Sequence, residues 1–152
     1  MMRGKQSWIP VLVLGAADLA QRGLDYSTGD TPKTGAFLSR IERGLALEWW
    51  GVLCILAAGI VLAGVVWKST RTLATGAICS AAVYAGLAAG RVGELILAGW
   101  PPDGWRSAVH FSIMAAIWCY AAGMLSLRDA IEKDREERRG ERATRIANRR
   151  AT

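Results

Sequence analysis

The chain has 152 residues, 52% of them hydrophobic and 21% charged, with 19 Lys and Arg against 13 Asp and Glu for a formal net charge of +6. A soluble chain of this length could form one ordinary domain. Three apolar runs without a formal charge, Trp49 to Trp67, Thr72 to Gly90 and Ser107 to Leu127, lack the polar face of an amphipathic soluble helix and exclude that reading. They predict an all-α integral membrane bundle of four transmembrane helices, the first one short, with an amphipathic interfacial helix and a charged C-terminal helix.

Arg3 and Lys5 precede a short apolar stretch, and a first span is predicted over residues 8–20. Thirteen helical residues rise only about 20 Å against a hydrocarbon core of about 30 Å. A signal peptide cleaved after Ala17, with Gly15 and Ala17 at the small-residue positions, is the alternative. Residues 21–35, with Gly23, Gly29, Pro32 and Gly35 among polar residues, read as a loop. From Ala36 to Glu48, Phe37, Leu38, Ile41, Leu45 and Leu47 alternate with Arg40, Glu42, Arg43 and Glu48, which predicts an interfacial helix leading into the membrane. An outer segment of residues 21–48 results.

The second span covers 49–67. Trp49 and Trp50 mark one headgroup level, and Trp67, about 26 Å further along, marks the other. Only Lys68, Ser69, Thr70 and Arg71 separate it from the third span, 72–98, so the two helices form a tight antiparallel hairpin. Pro101, Pro102, Asp103 and Gly104 make the next turn. The fourth span, 106–127, continues into a charged helix that is expected to break or loosen at Gly140. Residues 1–127 therefore form a transmembrane domain and 128–152 a charged cytoplasmic tail.

With both termini in the cytoplasm, Arg3, Lys5, Lys68, Arg71 and the nine basic residues from Arg128 to Arg150 lie inside. Arg22, Lys33, Arg40, Arg43 and Arg106 lie outside, a ratio of 13 to 5 that sets an N-in, C-in orientation.

Small residues recur at helical spacing as Ala82, Gly86 and Gly90, with a weaker counterpart in Gly59 and Ala63. In lipid such grooves let backbones approach, either inside one monomer or between copies, so self-association is one expectation. Polar residues gather toward the outer side: Asp18, Glu48, Arg91, Glu94, Arg106 and His110. Of these Glu48, Arg91, Glu94 and His110 form the expected interfacial cluster, read as an ordinary network or as a polar seam lining an oligomer or pore.

His110 is the only histidine; it reads as a satisfied interfacial residue or, more sharply, as a trigger sensitive to pH or potential. Cys54, Cys79 and Cys119 all lie in apolar runs, and no metal or cofactor site is expected. No GxSxG, HExxH, P-loop or dinucleotide fingerprint supports an enzyme. Arg138, Arg139, Arg142, Arg145, Arg149 and Arg150 are expected to meet anionic lipid. Without interleaved aromatics or a binding fold they do not favour nucleic acid.

The segments RGLDYSTG (22 to 29), IERGLALEWWG (41 to 51), KSTR (68 to 71), GWPPDGWR (99 to 106) and YAAGMLSLRDAI (120 to 131) give the chain its character. In these it resembles small multi-span membrane proteins of actinobacterial phages, some of them called holins. The resemblance implies a protein that oligomerises and permeabilises the cytoplasmic membrane during host lysis, and it carries over no site residue. The alternative is a non-lytic membrane protein that acts as an accessory subunit or a superinfection-exclusion factor, docking on a membrane-protein partner.

Overall fold

In a computed structural model that describes residues 9–28, 47–98 and 105–151, every element is an α-helix: α1 (Ile9–Thr28), α2 (Leu47–Val66), α3 (Thr70–Ala98) and α4 (Trp105–Ala151). Among the described residues there is no strand. Helices α2, α3 and α4 are long and apolar enough to cross a membrane; α1 does not meet that criterion. Leu14, Val66, Trp67, Ile96 and Leu97 are all at least 70% exposed, and many other large apolar side chains also face outward. Such a surface would drive aggregation in water and suits a hydrocarbon solvent.

Pro10 falls in the first turn of α1, where its missing N–H costs no helical hydrogen bond. Leu12, Ala16, Leu19, Gly23 and Tyr26 repeat at helical spacing and are buried, so one stripe of α1 faces the bundle along its whole length. That stripe corrects the loop expected from residue 21 onward: residues 21–28 are helical, and the first helix is 20 residues long, about 30 Å. Gly23, which looked like a helix breaker, is instead where another helix comes close. Ser27 and Thr28 close the helix with hydroxyl donations to the Gly23 and Leu24 carbonyls at 2.7 and 3.0 Å. Of the expected interfacial helix at 36–48, only residues 47 and 48 fall within the described residues, as the start of α2.

The α2–α3 hairpin is as tight as expected, and its geometry can be stated. Ser69 N–H donates to Gly64 O at 3.1 Å and Lys68 N–H to Val65 O at 3.3 Å, the paired bonds that close a helix through a left-handed residue. That residue is Lys68, with φ 52°. Ser69 then caps α3, its Oγ accepting from Thr72 N–H at 3.3 Å.

Helix α1 packs on α2, α2 on α3, and α3 most extensively on α4. Each helix runs antiparallel to the next, with Arg71 of α3 opposite Asp129 of α4 and Tyr84 opposite Phe111. The fully buried Trp118, Tyr84, Leu19, Leu87, Val61 and Cys54 make the centre of the bundle. Helix α4 is a single rod of 47 residues and continues through Gly140, against the expected break. Thr144 Oγ1 donates to the Gly140 carbonyl at 3.0 Å. One exposed glycine costs about 1 kcal/mol, too little to stop a helix flanked by good helix formers.

Candidate polar cluster on the first helix

Asp18 stands in the middle of α1, and three helices converge on its carboxylate. Tyr84 Oη of α3 donates to Asp18 Oδ2, and Arg22 Nε, one turn along α1, donates to the same oxygen at 3.4 Å. His110 Nε2 of α4 lies 4.0 Å from it. The Arg22 guanidinium lies over the Phe111 ring, 4.7 Å from its centroid. This arrangement spreads the positive charge over a π face. Phe111 also meets Tyr84 at 6.4 Å and the edge of His110 at 5.8 Å.

The cluster lies inside the apolar zone. His110 is about 7.5 Å inward from Trp105, and Tyr84 about 18 Å from the Thr72 end of its run. A lone charge near the middle of a bilayer costs about 2.5 to 3.5 kcal/mol on insertion scales. In a bilayer, pairing Asp18 with Arg22 and supplying the Tyr84 hydroxyl would offset much of that cost, because the carboxylate keeps hydrogen-bond donors without water.

Between α1 and α4, beside the Asp18–His110 end, runs a cavity of about 310 Å³ walled by Leu12, Leu14, Gly15, Met114, Ile117 and Trp118. Side chains bridge α1 and α4 here. Trp118 rests on Gly15 so closely that a Cβ there would sit 2.7 Å from the indole. Against α2, by contrast, α1 makes backbone contact. A Cβ on Gly23 would lie 3.0 Å from Gly51 O, and a Cβ on Gly51 would lie 2.9 Å from Gly23 O.

Of the residues expected to cluster, His110 joins Asp18, which the sequence also placed toward the same side. Glu48 is exposed, Arg91 is half-buried about 10 Å further along α3 than Tyr84, and the Glu94 side chain lies outside the described residues. Arg22 and Tyr84 escaped the sequence reading. Two signals could have found them: the i,i+4 spacing of Asp18 and Arg22, and a tyrosine deep in an apolar helix, whose hydroxyl needs a partner.

The small-residue stripe does not stay on one face. Gly86 receives the Trp50 indole of α2, whose Cη2 would be 2.9 Å from an added Cβ, and Gly90 is buried. Ala82 is exposed, Ala63 is half-buried and Gly59 is open, with nothing within 4 Å of an added Cβ. A four-residue step advances about 40° past a full turn, so the two steps from Ala82 to Gly90 turn by about 80° and carry the stripe from the outside of the bundle into its core.

Arg138, Arg139, Arg142 and Arg145 are exposed, and Arg138 Nε donates to both oxygens of Asp134, at 3.1 and 2.9 Å. The helix carries Arg138 about 16 Å and Arg145 about 27 Å along its axis beyond Leu127. The side chains of Arg149 and Arg150 lie outside the described residues.

At the other end of the bundle, Asp129 joins two elements: Arg71 Nε lies 3.3 Å away and Lys133 Nζ 2.8 Å. The Lys133 hydrogen bond, with smaller help from the Arg71 charge, holds the Asp129 carboxyl below the usual carboxylate range. Among the described residues no three His, Cys, Asp or Glu side chains group to hold a metal ion. No family model matches this chain, and no curated protein or solved structure shows significant similarity to it.

Proposed function

We propose that the chain is an integral protein of the bacterial cytoplasmic membrane, N-in and C-in, that self-associates and permeabilises the membrane during phage host lysis in the manner of a holin. The observation that carries this reading is the character of α1. It is too polar to qualify as a span by itself, yet it lies at the depth of three helices that do qualify. Its contacts with α3 and α4 include the side chains of Tyr84, Phe111 and Trp118. Asp18, Gln21, Arg22 and Asp25 share one sector of this helix, and Gln21 and Asp25 are exposed. Copies that crowd together can exchange α1 contacts within a monomer for contacts between monomers, which turns such sectors toward a shared, wetted interior. Gly59 and Ala82, exposed on the lipid side, let neighbouring backbones approach. The orientation is supported by the Arg71–Asp129 pair, which puts the basic turn and the basic tail at the same end of the bundle.

Induced expression in a bacterial host, with membrane potential and viability followed over time, tests the reading. Abrupt depolarisation after a lag is expected, and a variant carrying Gly59→Leu and Ala82→Leu should shift its onset. Normal potential and growth at high membrane abundance would overturn it. That outcome would favour the second reading, an accessory subunit or superinfection-exclusion factor. One observation speaks for that alternative: α4 continues about 36 Å beyond Leu127, and its charged side chains from Lys133 to Arg145 are exposed, a length of helix that a partner could grip.

A further inference from the structure

Helix α1 has two different attachments. Toward α2 it is locked by glycine on glycine, backbone against backbone. Toward α4 it has the Trp118 ring on Gly15, the Arg22 guanidinium over Phe111, and a gap: His110 Nε2 stands 4.0 Å from Asp18 Oδ2, about 1 Å beyond hydrogen-bond reach. His110 Nε2 is buried and has no hydrogen-bond partner. A buried polar nitrogen left unpaired is unfavourable, and the carboxylate is the anion facing it. The cavity of about 310 Å³ between the two helices, which Asp18 and His110 help to line, leaves room for them to close.

We propose that Asp18 and His110 form a proton-operated clasp between α1 and α4. With His110 neutral the gap stays open, and the α4 side of α1 rests on apolar and aromatic contacts. With His110 protonated, the imidazolium is drawn onto the Asp18 carboxylate, the gap contracts to a charge-assisted hydrogen bond, and α1 is fastened on both sides.

The groups that face the pair decide the sign. From α1, Arg22 already shares the Asp18 oxygen and opposes a second cation, but its guanidinium is drawn aside over the Phe111 ring. From α3, Tyr84 contributes a neutral donor to the same oxygen. From α2, the nearby group is the buried thiol of Cys54. On α4 itself, Arg106 is exposed one turn before His110. Asp18, at 4.0 Å, is the anion set against the imidazole and the group with which an imidazolium would pair.

The clasp is independent of lysis, and its test uses the purified full chain in lipid nanodiscs. Amide hydrogen exchange is measured at pH 5.5 and pH 8, corrected for intrinsic exchange chemistry, with α2 amides as the internal reference. The α1 amides should exchange about tenfold more slowly, relative to α2, at the lower pH, the least effect expected of a carboxylate within 4 to 6 Å of a new cation. In His110→Gln, which keeps a polar side chain but cannot titrate, the ratio should be the same at both values. Asp18→Asn should flatten it as well, and if that variant fails to fold, His110→Gln alone decides. Because His110 is the only histidine, one imidazole NMR signal reports its protonation, which must change over the same pH interval as the α1 protection. An α1 ratio that is independent of pH in the native chain, a pH response that survives in His110→Gln, or an imidazole that titrates in a different interval would each overturn the clasp.

Discussion

Replacing Gly51 by alanine adds a single carbon to α2, and the structure says where it goes. The new Cβ would lie 2.5 Å from Ser27 Oγ, 2.9 Å from Gly23 O and 3.1 Å from Ser27 N. Real Cβ atoms do not approach other heavy atoms to 2.5 Å. The hydroxyl could rotate away, but two of the three obstacles are backbone atoms of α1 and cannot. Helices α1 and α2 must therefore move apart over the contact, losing dispersion along the buried stripe of Leu19, Gly23 and Tyr26. Overpacking of this kind costs typically 1 to 3 kcal/mol. The rigid obstacles put Gly51→Ala near the upper end, about 2 to 3 kcal/mol. Gly59→Ala is the matched control, since it adds the same carbon to the same helix in open space. It should be neutral or stabilising by up to about 1 kcal/mol through helix propensity. Reversible unfolding of the two variants in mixed micelles compares them directly. Adding Ser27→Ala to Gly51→Ala should recover only part of the loss, because the backbone obstacles remain. If Gly51→Ala were as benign as Gly59→Ala, the backbone contact between α1 and α2 would be wrong.

Tyr84→Phe removes a donor from the Asp18 carboxylate while keeping the ring in place, and should destabilise the bundle by about 1.5 to 3 kcal/mol, the range for hydrogen bonds to a charged group. Stability equal to the native chain in the same unfolding assay would mean that Asp18 is solvated by something other than Tyr84. Lys68→Gly should stabilise by about 1 kcal/mol, since a left-handed residue with a Cβ costs roughly 1 to 2 kcal/mol; a loss of stability would show that the Lys68 side chain holds the hairpin in another way. The Asp129 carboxyl has a lower pKa in the folded chain than its ordinary value of 3.8. The stabilisation it provides is therefore complete above that ordinary value and fades as pH falls through the depressed one. Asp129→Asn should flatten that acid limb in a pH series of exchange protection at the α2–α3 turn; an unchanged limb would assign the acid response to another group.

The helix count, the hairpin and the long charged exit were legible because each depends on local composition, whereas the first span expected over 8–20 is a helix that does not meet the length and hydropathy of a span. An uncharged run of about 20 residues has few stable alternatives to a helix in lipid, and four residues between two such runs leave only an antiparallel return. Gly23 and Gly140 were misread for a shared reason. Glycine's cost of about 1 kcal/mol is a local quantity, and a buried stripe or a long run of flanking helix easily exceeds it.

Pairings between distant residues were not legible in this way. Whether Gly86 faces lipid or receives Trp50 depends on the rotation of α3 about its axis, and that rotation is set by the whole α2–α3–α4 contact. The meeting of Asp18, Tyr84 and His110 needs the depth of α1 in the bundle, which the Gly23–Gly51 contact sets and no run of hydropathy encodes. By itself, then, the amino-acid order determined which segments are helical and apolar, because hydrophobic length acts along one segment at a time. Tertiary structure alone decided which faces are spent inside the monomer and which polar groups meet, because packing acts between segments that the sequence holds far apart.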